Sequence, residues 1–336
     1  MLQTQKRKPE YRLPDFYPFW MRESFDYFEE KFIAFIDGLY NIPSDVLRII
    51  NYALFPGRRI RPTLYCAFWK EIHHRFPSGI DLYPVYALEL FHSASIIIDD
   101  IVDQDDARRN KDILYKNIDV EKATIISHLL VSLGYKLLSL SSKHVEQTKI
   151  WTDSYEMSAI GEFADVYRFC DLSVEEQSTK ALEKTKGFFV FIGKSLKLYS
   201  DIHQDIVKLF EILGDSFQIS NDVCDFVNAD SSGRYSNGKM YKLNYSFLIP
   251  SLISRNLITE DIIRSPITYE DLRSIVLKAK KIFGTERDIL GPPISMAVLR
   301  VKRLQLPSRL KELSVEFLNL LLNSKFWCHA HESSQD

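Results

Sequence analysis

Three aspartates end a strongly apolar segment of the sequence. Asp99, Asp100 and Asp103 follow the run Ser95–Ile98. On a helix, Asp99 and Asp103 are i,i+4 neighbours and Asp100 and Asp103 are i,i+3 neighbours, so the three carboxylates crowd one side. A hard divalent cation removes their mutual repulsion, and Mg²⁺ commonly combines one or two carboxylates with water and phosphate oxygens. The spacing predicts a magnesium site, although a solvated acidic helix end is the alternative interpretation of this segment alone.

A second set of oxygen ligands occurs later in the chain. Asn221, Asp222 and Asp225 again supply carboxylate or amide oxygens at i, i+1 and i+4 after an apolar helical pattern. Two such clusters facing one cavity could hold several metal ions around a diphosphate. The second cluster therefore favours the metal-site interpretation of the first.

Basic residues at regular spacing complete the pattern. Arg58 and Arg61 are i,i+3 neighbours, and Arg108 and Arg109 lie just beyond the first acidic cluster. His92 precedes that cluster by about two helical turns and shares nearly the same face. Guanidinium groups suit phosphate oxygens, and a diphosphate bound without metal needs several of them. Each residue alone could be a surface charge or a core histidine, but together they predict a diphosphate-binding site.

Composition limits the remaining classes of function. The 43 basic and 45 acidic residues give a formal charge of −2, which excludes a basic field for nucleic acid. The four cysteines are far apart and form no CxxC pair, which favours a reduced, cytoplasmic location. The first ten residues contain no apolar signal-peptide core, and no apolar run predicts a transmembrane segment.

Helices must position these side chains. Apolar residues recur mostly at helical spacing, Gly and Pro number only 12 and 13, and no convincing strand run occurs. The clearest helix begins near Pro84, a favourable first-turn residue, and ends at Asp103. Further helices are predicted at residues 120–142, 150–167, 182–198, 206–226, 269–282 and 308–322. We predict an all-α, single-domain helical bundle over residues 13–328, with a disordered N-terminus at 1–12 and a polar tail at 329–336.

In order along the chain, these motifs resemble those of the trans-isoprenyl diphosphate synthases, over roughly residues 45–325. Gly57 to Pro62 resembles the family segment GGKRxRP, and Glu89 to Arg109 resembles ExxHxxSxxxDDxxD…RR. The other matches are Gly161-Glu162 with Asp165 for GQxxD, Lys184-Thr185 for KT, and Phe217 to Asp225 for FQxxDDxxD. The resemblance implies the isoprenoid synthase fold, a homodimer, and condensation of an allylic prenyl diphosphate with isopentenyl diphosphate.

The resemblance also implies a role for each site residue. The implied Mg²⁺ ligands are Asp99, Asp100, Asp103, Asn221, Asp222 and Asp225. Arg108 and Lys184 would contact the allylic diphosphate, and isopentenyl diphosphate would be held by Arg58, Arg61, His92 and Arg109. Oxygens of Thr185 and Gln218 would lie near the allylic carbocation, and Lys239 would also bind substrate.

Product length should be set beneath the first acidic cluster. Short-chain members of the family carry aromatic residues at the positions of Ala94 and Ser95, so the pocket should not be closed there. Phe91, a turn further down, could form the floor and would give a product of about C20, with C25 as the longer alternative. Otherwise Phe91 packs in the core and a neighbouring helix sets the depth.

The second metal motif departs from the family. Asn221 replaces its first aspartate, and the following GKxxxxD…GKxT segment matches only in part, with Lys239 near its aspartate and Asn244 near its lysine. Two alternatives therefore stay open: a terpene synthase that ionises a prenyl diphosphate without isopentenyl diphosphate, and a non-catalytic subunit or a prenyltransferase with another acceptor. Arg58, Arg61 and His92 favour chain elongation, because a cyclase has no second diphosphate to bind.

Overall fold

The computed structural model describes residues 12–104, 107–108, 111–227, 240–263 and 265–328. Over these residues the chain forms fifteen α-helices and very little sheet, which confirms the all-α prediction. The first helices are α1 Phe19–Asp37, α2 Ser44–Leu54, α3 Ile60–His73, α4 Tyr83–Asp103, α5 Leu114–Ile118, α6 Val120–Ser139 and α7 His144–Val166. They are followed by α8 Val174–Ala181, α9 Glu183–Leu198, α10 Asp205–Val227, α11 Ile249–Ser254, α12 Tyr269–Phe283, α13 Glu286–Arg303, α14 Ser308–Leu321 and α15 Ser324–Cys328.

The strands within the described residues are four two-residue segments in antiparallel pairs. β1 (Ala107–Arg108) pairs with β2 (Lys111–Asp112), and β3 (Met240–Tyr241) pairs with β4 (Ile267–Thr268). The sequence did not predict them, because two residues are too few to produce an alternating pattern.

All seven predicted helices are present, and their ends coincide with the prediction or differ from it by at most six residues. The largest difference is at α7, which begins at His144 rather than near residue 150. Helix α13 was not predicted, because Pro292 and Pro293 lie inside it. Its start is nevertheless well defined, since Thr285 and Asp288 form a capping box.

The chain divides into two compact units. The N-terminal unit comprises Met1–Lys149 and Leu198–Ser200, and the C-terminal unit comprises Ile150–Lys197 and Asp201–Asp336. The prediction of a single domain stays a prediction. The residues predicted as a disordered N-terminus and a polar tail lie outside the described residues, apart from Arg12. None of the described helices is long and apolar enough to cross a membrane.

Aromatic side chains fill the core of the N-terminal unit. Helix α1 packs against α3, and α4 packs against α2, α3 and α6. Phe28 and Phe32 on α1 are fully buried and contact Tyr86 on α4, with ring centroids 6.0 and 5.7 Å apart. This packing fixes α4, which carries the first acidic cluster at its end.

In the C-terminal unit, α10 packs against α12, α13 and α14. Trp151 on α7 is buried against Phe188 and Phe191 of α9, with ring centroids 5.7 and 5.4 Å apart. These contacts hold α7 beside α9, and both helices carry predicted site residues.

Candidate active site

The first acidic cluster occupies the last turn of α4. Asp99 and Asp103 are half-buried and lie one turn apart, whereas Asp100 points inward and is only 5% exposed. The helix ends at Gln104, whose left-handed φ of 55° breaks the helical path. Asp99 and Asp103 are therefore the pair best placed to receive a cation from solvent.

The carboxylates of Asp99 and Asp103 fit Mg²⁺ when substrate phosphate and water supply its other oxygen donors. In the described part of the chain, no group of three or more His, Cys, Asp or Glu side chains is arranged to hold a metal ion by itself. Mg²⁺ usually keeps several waters and takes one or two protein carboxylates together with substrate phosphates. The Asp99–Asp103 pair supplies that number of hard oxygen donors.

Arg61 and His92 are in direct contact. Nη1 of Arg61, on α3, lies 2.7 Å from Nε2 of His92, on α4. Because a guanidinium group only donates, Nε2 must accept, and the neutral imidazole carries its proton on Nδ1. The structure thus brings together two of the residues predicted to bind one diphosphate.

The surroundings of Arg61 make its positive charge costly. The residue is 8% exposed, and burial lowers the pKa of its guanidinium to about 10. Glu89 and Asp99 raise this pKa, and the neighbouring charge of Arg58 lowers it. An anion that bound beside Arg58 and Arg61 would relieve both the desolvation and the repulsion between these like charges.

Lys184 is held by a buried carboxylate in the C-terminal unit. Its Nζ donates to Oδ2 of Asp165 at 2.7 Å, and Asp165 is 2% exposed. The helices α7 and α9 approach closely at Gly161, where an added Cβ would lie 2.2 Å from the backbone nitrogen of Lys184. Only glycine permits this approach, which puts Lys184 within reach of Asp165.

A further series of hydrogen bonds begins at Thr185 and ends at Asp222. Its hydroxyl donates to Oε1 of Gln218, and Nε2 of Gln218 donates to Oδ1 of Asp222, both at 2.5 Å. The backbone N–H of Phe247 donates to Oδ2 of the same carboxylate at 3.1 Å. Burial raises the pKa of Asp222 to about 7, while Lys184 opposes the shift.

The segment from Asn244 to Phe247 contacts both carboxylates, those of Asp165 and Asp222. Nδ2 of Asn244 donates to Oδ2 of Asp165 at 3.1 Å, and the N–H of Tyr245 donates to the Asp165 carbonyl. In the sequence, Asn244 stands near the position of a lysine in the family segment GKxT. In the structure it is a donor that helps to fix the carboxylate that holds Lys184.

The substituted residue of the second acidic cluster faces its neighbour on α10. Nδ2 of Asn221 donates to Oδ2 of Asp225 at 3.0 Å. This orientation turns the amide oxygen away from Asp225, and that oxygen is the atom able to ligate a cation. The donor chemistry of Asn221, Asp222 and Asp225 thus fits a metal site with one negative charge fewer than the family motif.

Three predicted substrate-binding residues are only partly described or not described. Arg109 and Lys239 lie outside the described residues, and Arg108 is described only as part of β1, without its side chain.

The residues predicted to set product length lie on α4. Phe91 is buried and packs against Tyr135 of α6, with ring centroids 5.3 Å apart. Gly134 makes room for this ring, since an added Cβ would lie 2.6 Å from it. The carbonyl of Ala94 accepts the hydroxyl of Ser127, also on α6, and the hydroxyl of Ser95 donates to the His92 carbonyl. Phe91 and Ala94 therefore contribute to the contact between α4 and α6.

Some known proteins resemble parts of this chain in sequence. The chain is 27% identical over 202 residues to a terpene synthase from Matsumurasca onukii, covering 56% of this chain and 65% of that protein. It is 24% identical over 185 residues to chloroplastic solanesyl diphosphate synthase 1 from Arabidopsis thaliana, covering 53% and 45%. The chain thus spans less than two thirds of the length of these curated relatives.

A solved structure with the same fold is that of a decaprenyl diphosphate synthase from Rhodobacter capsulatus. Its TM-score is 0.71 at 15% identity, covering 90% of this chain and 97% of that one. The model of the polyprenyl synthetase family matches residues 44–249, which contain the basic segment, both acidic clusters and the Lys184-Thr185 pair. The chain therefore belongs to the polyprenyl synthetase family.

Proposed function

We propose that the protein is a Mg²⁺-dependent trans-prenyltransferase that condenses an allylic prenyl diphosphate with isopentenyl diphosphate. The observation that carries the proposal is the Arg61–His92 contact beside Arg58. A buried guanidinium next to a second cation is costly unless an anion binds there. An enzyme that only ionises one diphosphate has no use for such a group in addition to its metal ligands.

Under this proposal, different residues act on the leaving pyrophosphate and on the allylic carbocation. Asp99 and Asp103 would hold Mg²⁺, as would the ligands predicted on α10, and this metal would supply the positive charge that stabilises the departing pyrophosphate. Lys184, oriented by Asp165, would donate to the same leaving group. The hydroxyl of Thr185 points its hydrogen at Gln218, which leaves its oxygen lone pairs available to an allylic carbocation.

The second substrate would be oriented by its own diphosphate. Arg58, Arg61 and His92 would hold isopentenyl diphosphate so that its double bond attacks the allylic carbon. A new carbon–carbon bond forms, pyrophosphate leaves with the electrons of the broken C–O bond, and loss of a proton restores a double bond. The buried apolar side chains around these helices exclude water that would otherwise quench the cation.

Two parallel incubations test the proposal. The protein is incubated with Mg²⁺, an allylic diphosphate and isopentenyl diphosphate, and separately with Mg²⁺ and the allylic diphosphate alone. We expect a longer prenyl diphosphate in the first incubation and none in the second, by chromatography after phosphatase treatment. Hydrocarbon or alcohol formed from the allylic substrate alone, without elongation in the first incubation, would contradict chain elongation.

A terpene synthase on the same fold is the second candidate. Asn221 lowers the charge of the second metal cluster, and one relative over part of the chain is named a terpene synthase. Under this proposal the incubation without isopentenyl diphosphate would give the hydrocarbon or alcohol. Arg58, Arg61 and His92 would then have no second diphosphate to bind, which is why we rank this candidate second.

The proposed product has a length of about C20, or C25 as the longer alternative. Small side chains at Ala94 and Ser95 support a pocket that is open at those positions, with Phe91 beyond them. The chain length found in the first incubation tests this part of the proposal. The homodimer and the cytoplasmic location predicted from the sequence also belong to it.

Asp165→Asn is expected to slow consumption of the allylic substrate. The change removes the charge that orients Lys184, and a hydrogen bond to a charged group contributes about 1.5–3 kcal/mol, or roughly 10- to 100-fold in rate. The measurement is kcat/KM for the allylic diphosphate at saturating Mg²⁺. Glu260→Gln is the control, because it breaks an exposed pair with Arg168. An unchanged kcat/KM in Asp165→Asn would contradict the role of this contact.

A further inference from the structure

Arg59 lies between the two predicted diphosphate ligands in the sequence, and its side chain is buried inside the N-terminal unit. Its Nε donates to Oε2 of Glu29 on α1 at 2.8 Å, and its Nη1 donates to Oε1 of Glu89 on α4 at 2.6 Å. All three side chains are almost completely buried. Burial disfavours the charge of Arg59, but the two carboxylates more than offset it and raise the pKa of the guanidinium.

The guanidinium of Arg59 is enclosed on its other sides as well. It lies over the rings of Phe32 and Phe55, 5.1 and 4.7 Å from their centroids. Gly57 closes a further side, because a Cβ added there would lie 2.6 Å from Nη1 and 2.9 Å from Cζ. Two carboxylates hold the guanidinium, so it cannot move aside to make room for that Cβ. The glycine of this segment is therefore required by the arginine two residues later.

The backbone of Arg59 shows what this anchoring achieves. Its φ of 48° and ψ of 31° lie in the left-handed region, which costs a non-glycine residue free energy. In this conformation its carbonyl accepts the N–H of Thr63 at 2.9 Å and begins α3. The anchored side chain thus maintains an unfavourable backbone turn between Arg58 and Arg61.

One face of α4 receives both arginines. Glu89 and His92 are i,i+3 neighbours, so they lie on the same side of the helix. Glu89 accepts from Arg59, and His92 contacts Arg61. The spacing of Glu89 and His92 on α4 therefore fixes where α3 begins. It also fixes the direction of the Arg61 side chain.

We propose that Arg59 is a positioning residue that sets Arg58 and Arg61 to bind the diphosphate of the second substrate, through its buried contacts with Gly57, Glu29 and Glu89. This inference rests on the proposed function and extends it to residues that do not touch substrate. It implies that the buried triad controls binding of isopentenyl diphosphate, while use of the allylic substrate depends on other residues.

Two variants test the proposal by different physical routes. Arg59→Lys keeps the charge but offers a single ammonium group in place of the planar fork that reaches two carboxylates. Gly57→Ala keeps every charge and pushes a methyl group against the guanidinium. We expect each variant to raise KM for isopentenyl diphosphate about tenfold or more, with kcat and the allylic KM within about twofold of wild type.

The double variant, with Gly57→Ala and Arg59→Lys together, tests the contact between these two residues directly. Lysine lacks the guanidinium atoms that the alanine Cβ would meet, so the Gly57→Ala change should cost much less when Arg59 is already lysine. Additive effects in the double variant would contradict the contact. Arg48→Lys is the matched control, because Arg48 forms an exposed pair with Asp45 on α2. Thermal unfolding of each variant identifies loss of folding.

Calorimetric binding of isopentenyl diphosphate separates failure of this inference from failure of the proposed function. If wild type binds it without forming an elongated product, the proposed function fails, and the comparison of dissociation constants still decides the role of Arg59. A dissociation constant weakened about tenfold or more in the variants supports the inference. Equal binding by wild type and folded variants, equal losses for both substrates, or no binding by wild type would overturn it.

Discussion

Asp99→Ala is expected to lower kcat by about a thousandfold or more. Asp99 is half-buried at the end of α4 and is the carboxylate of the first cluster that shares the accessible face with Asp103. A metal-based interaction with the leaving pyrophosphate contributes several kcal/mol to transition-state stabilisation, and about 4 kcal/mol corresponds to a thousandfold in rate. The measurement is steady-state turnover with both substrates at saturating Mg²⁺.

Two further variants make the Asp99 result specific. Asp45→Ala removes a carboxylate whose side chain is 83% exposed on α2, and it should leave kcat unchanged. Asp103→Ala should lower kcat and raise the Mg²⁺ concentration needed for half-maximal activity, because the cation loses one of the two carboxylates that the end of α4 would supply. A normal kcat in folded Asp99→Ala would remove Asp99 from the metal site.

Regular periodicity explains why the helices could be predicted. The structure places α4 at Tyr83–Asp103, one residue from the predicted start, because Pro84 favours a first turn and apolar residues recur at helical spacing up to the aspartates. Helix α13 escaped prediction for the opposite reason. Its Pro292 and Pro293 read as a helix end, whereas packing against α10 and α14 keeps the helix continuous.

Site residues could be predicted where a motif gathers them in the sequence. Arg61 and His92 were grouped by the family pattern, and the structure places them in contact. The pairing of Arg59 with Glu29 could not be predicted in this way, because Glu29 lies on a different helix and no local spacing connects the two. Tertiary packing alone decides which carboxylate meets which cation.

The contacts of Lys184 also could not be predicted from local spacing. The KT pair identified the residue, but its partner Asp165 lies on α7, and Asn244 comes from a segment that matches the family poorly. A residue that departs from a motif is usually taken as a loss of function at that position. Here the amide of Asn244 supplies a donor to the carboxylate that orients Lys184, so the departure coincides with a specific contact.

Arg58→Ala is expected to separate the two substrates. Arg58 is half-buried, and its charge lowers the pKa of Arg61. Removing one guanidinium–phosphate contact costs about 1.5–3 kcal/mol, which raises KM for isopentenyl diphosphate roughly 10- to 100-fold. The allylic KM should stay near its wild-type value, because under the proposed function this substrate is held by metal and Lys184.

The Arg58 prediction is checked by measuring both KM values, with Arg48→Ala as the control for loss of an exposed arginine on α2. Equal losses for both substrates would contradict the assignment of Arg58 to isopentenyl diphosphate.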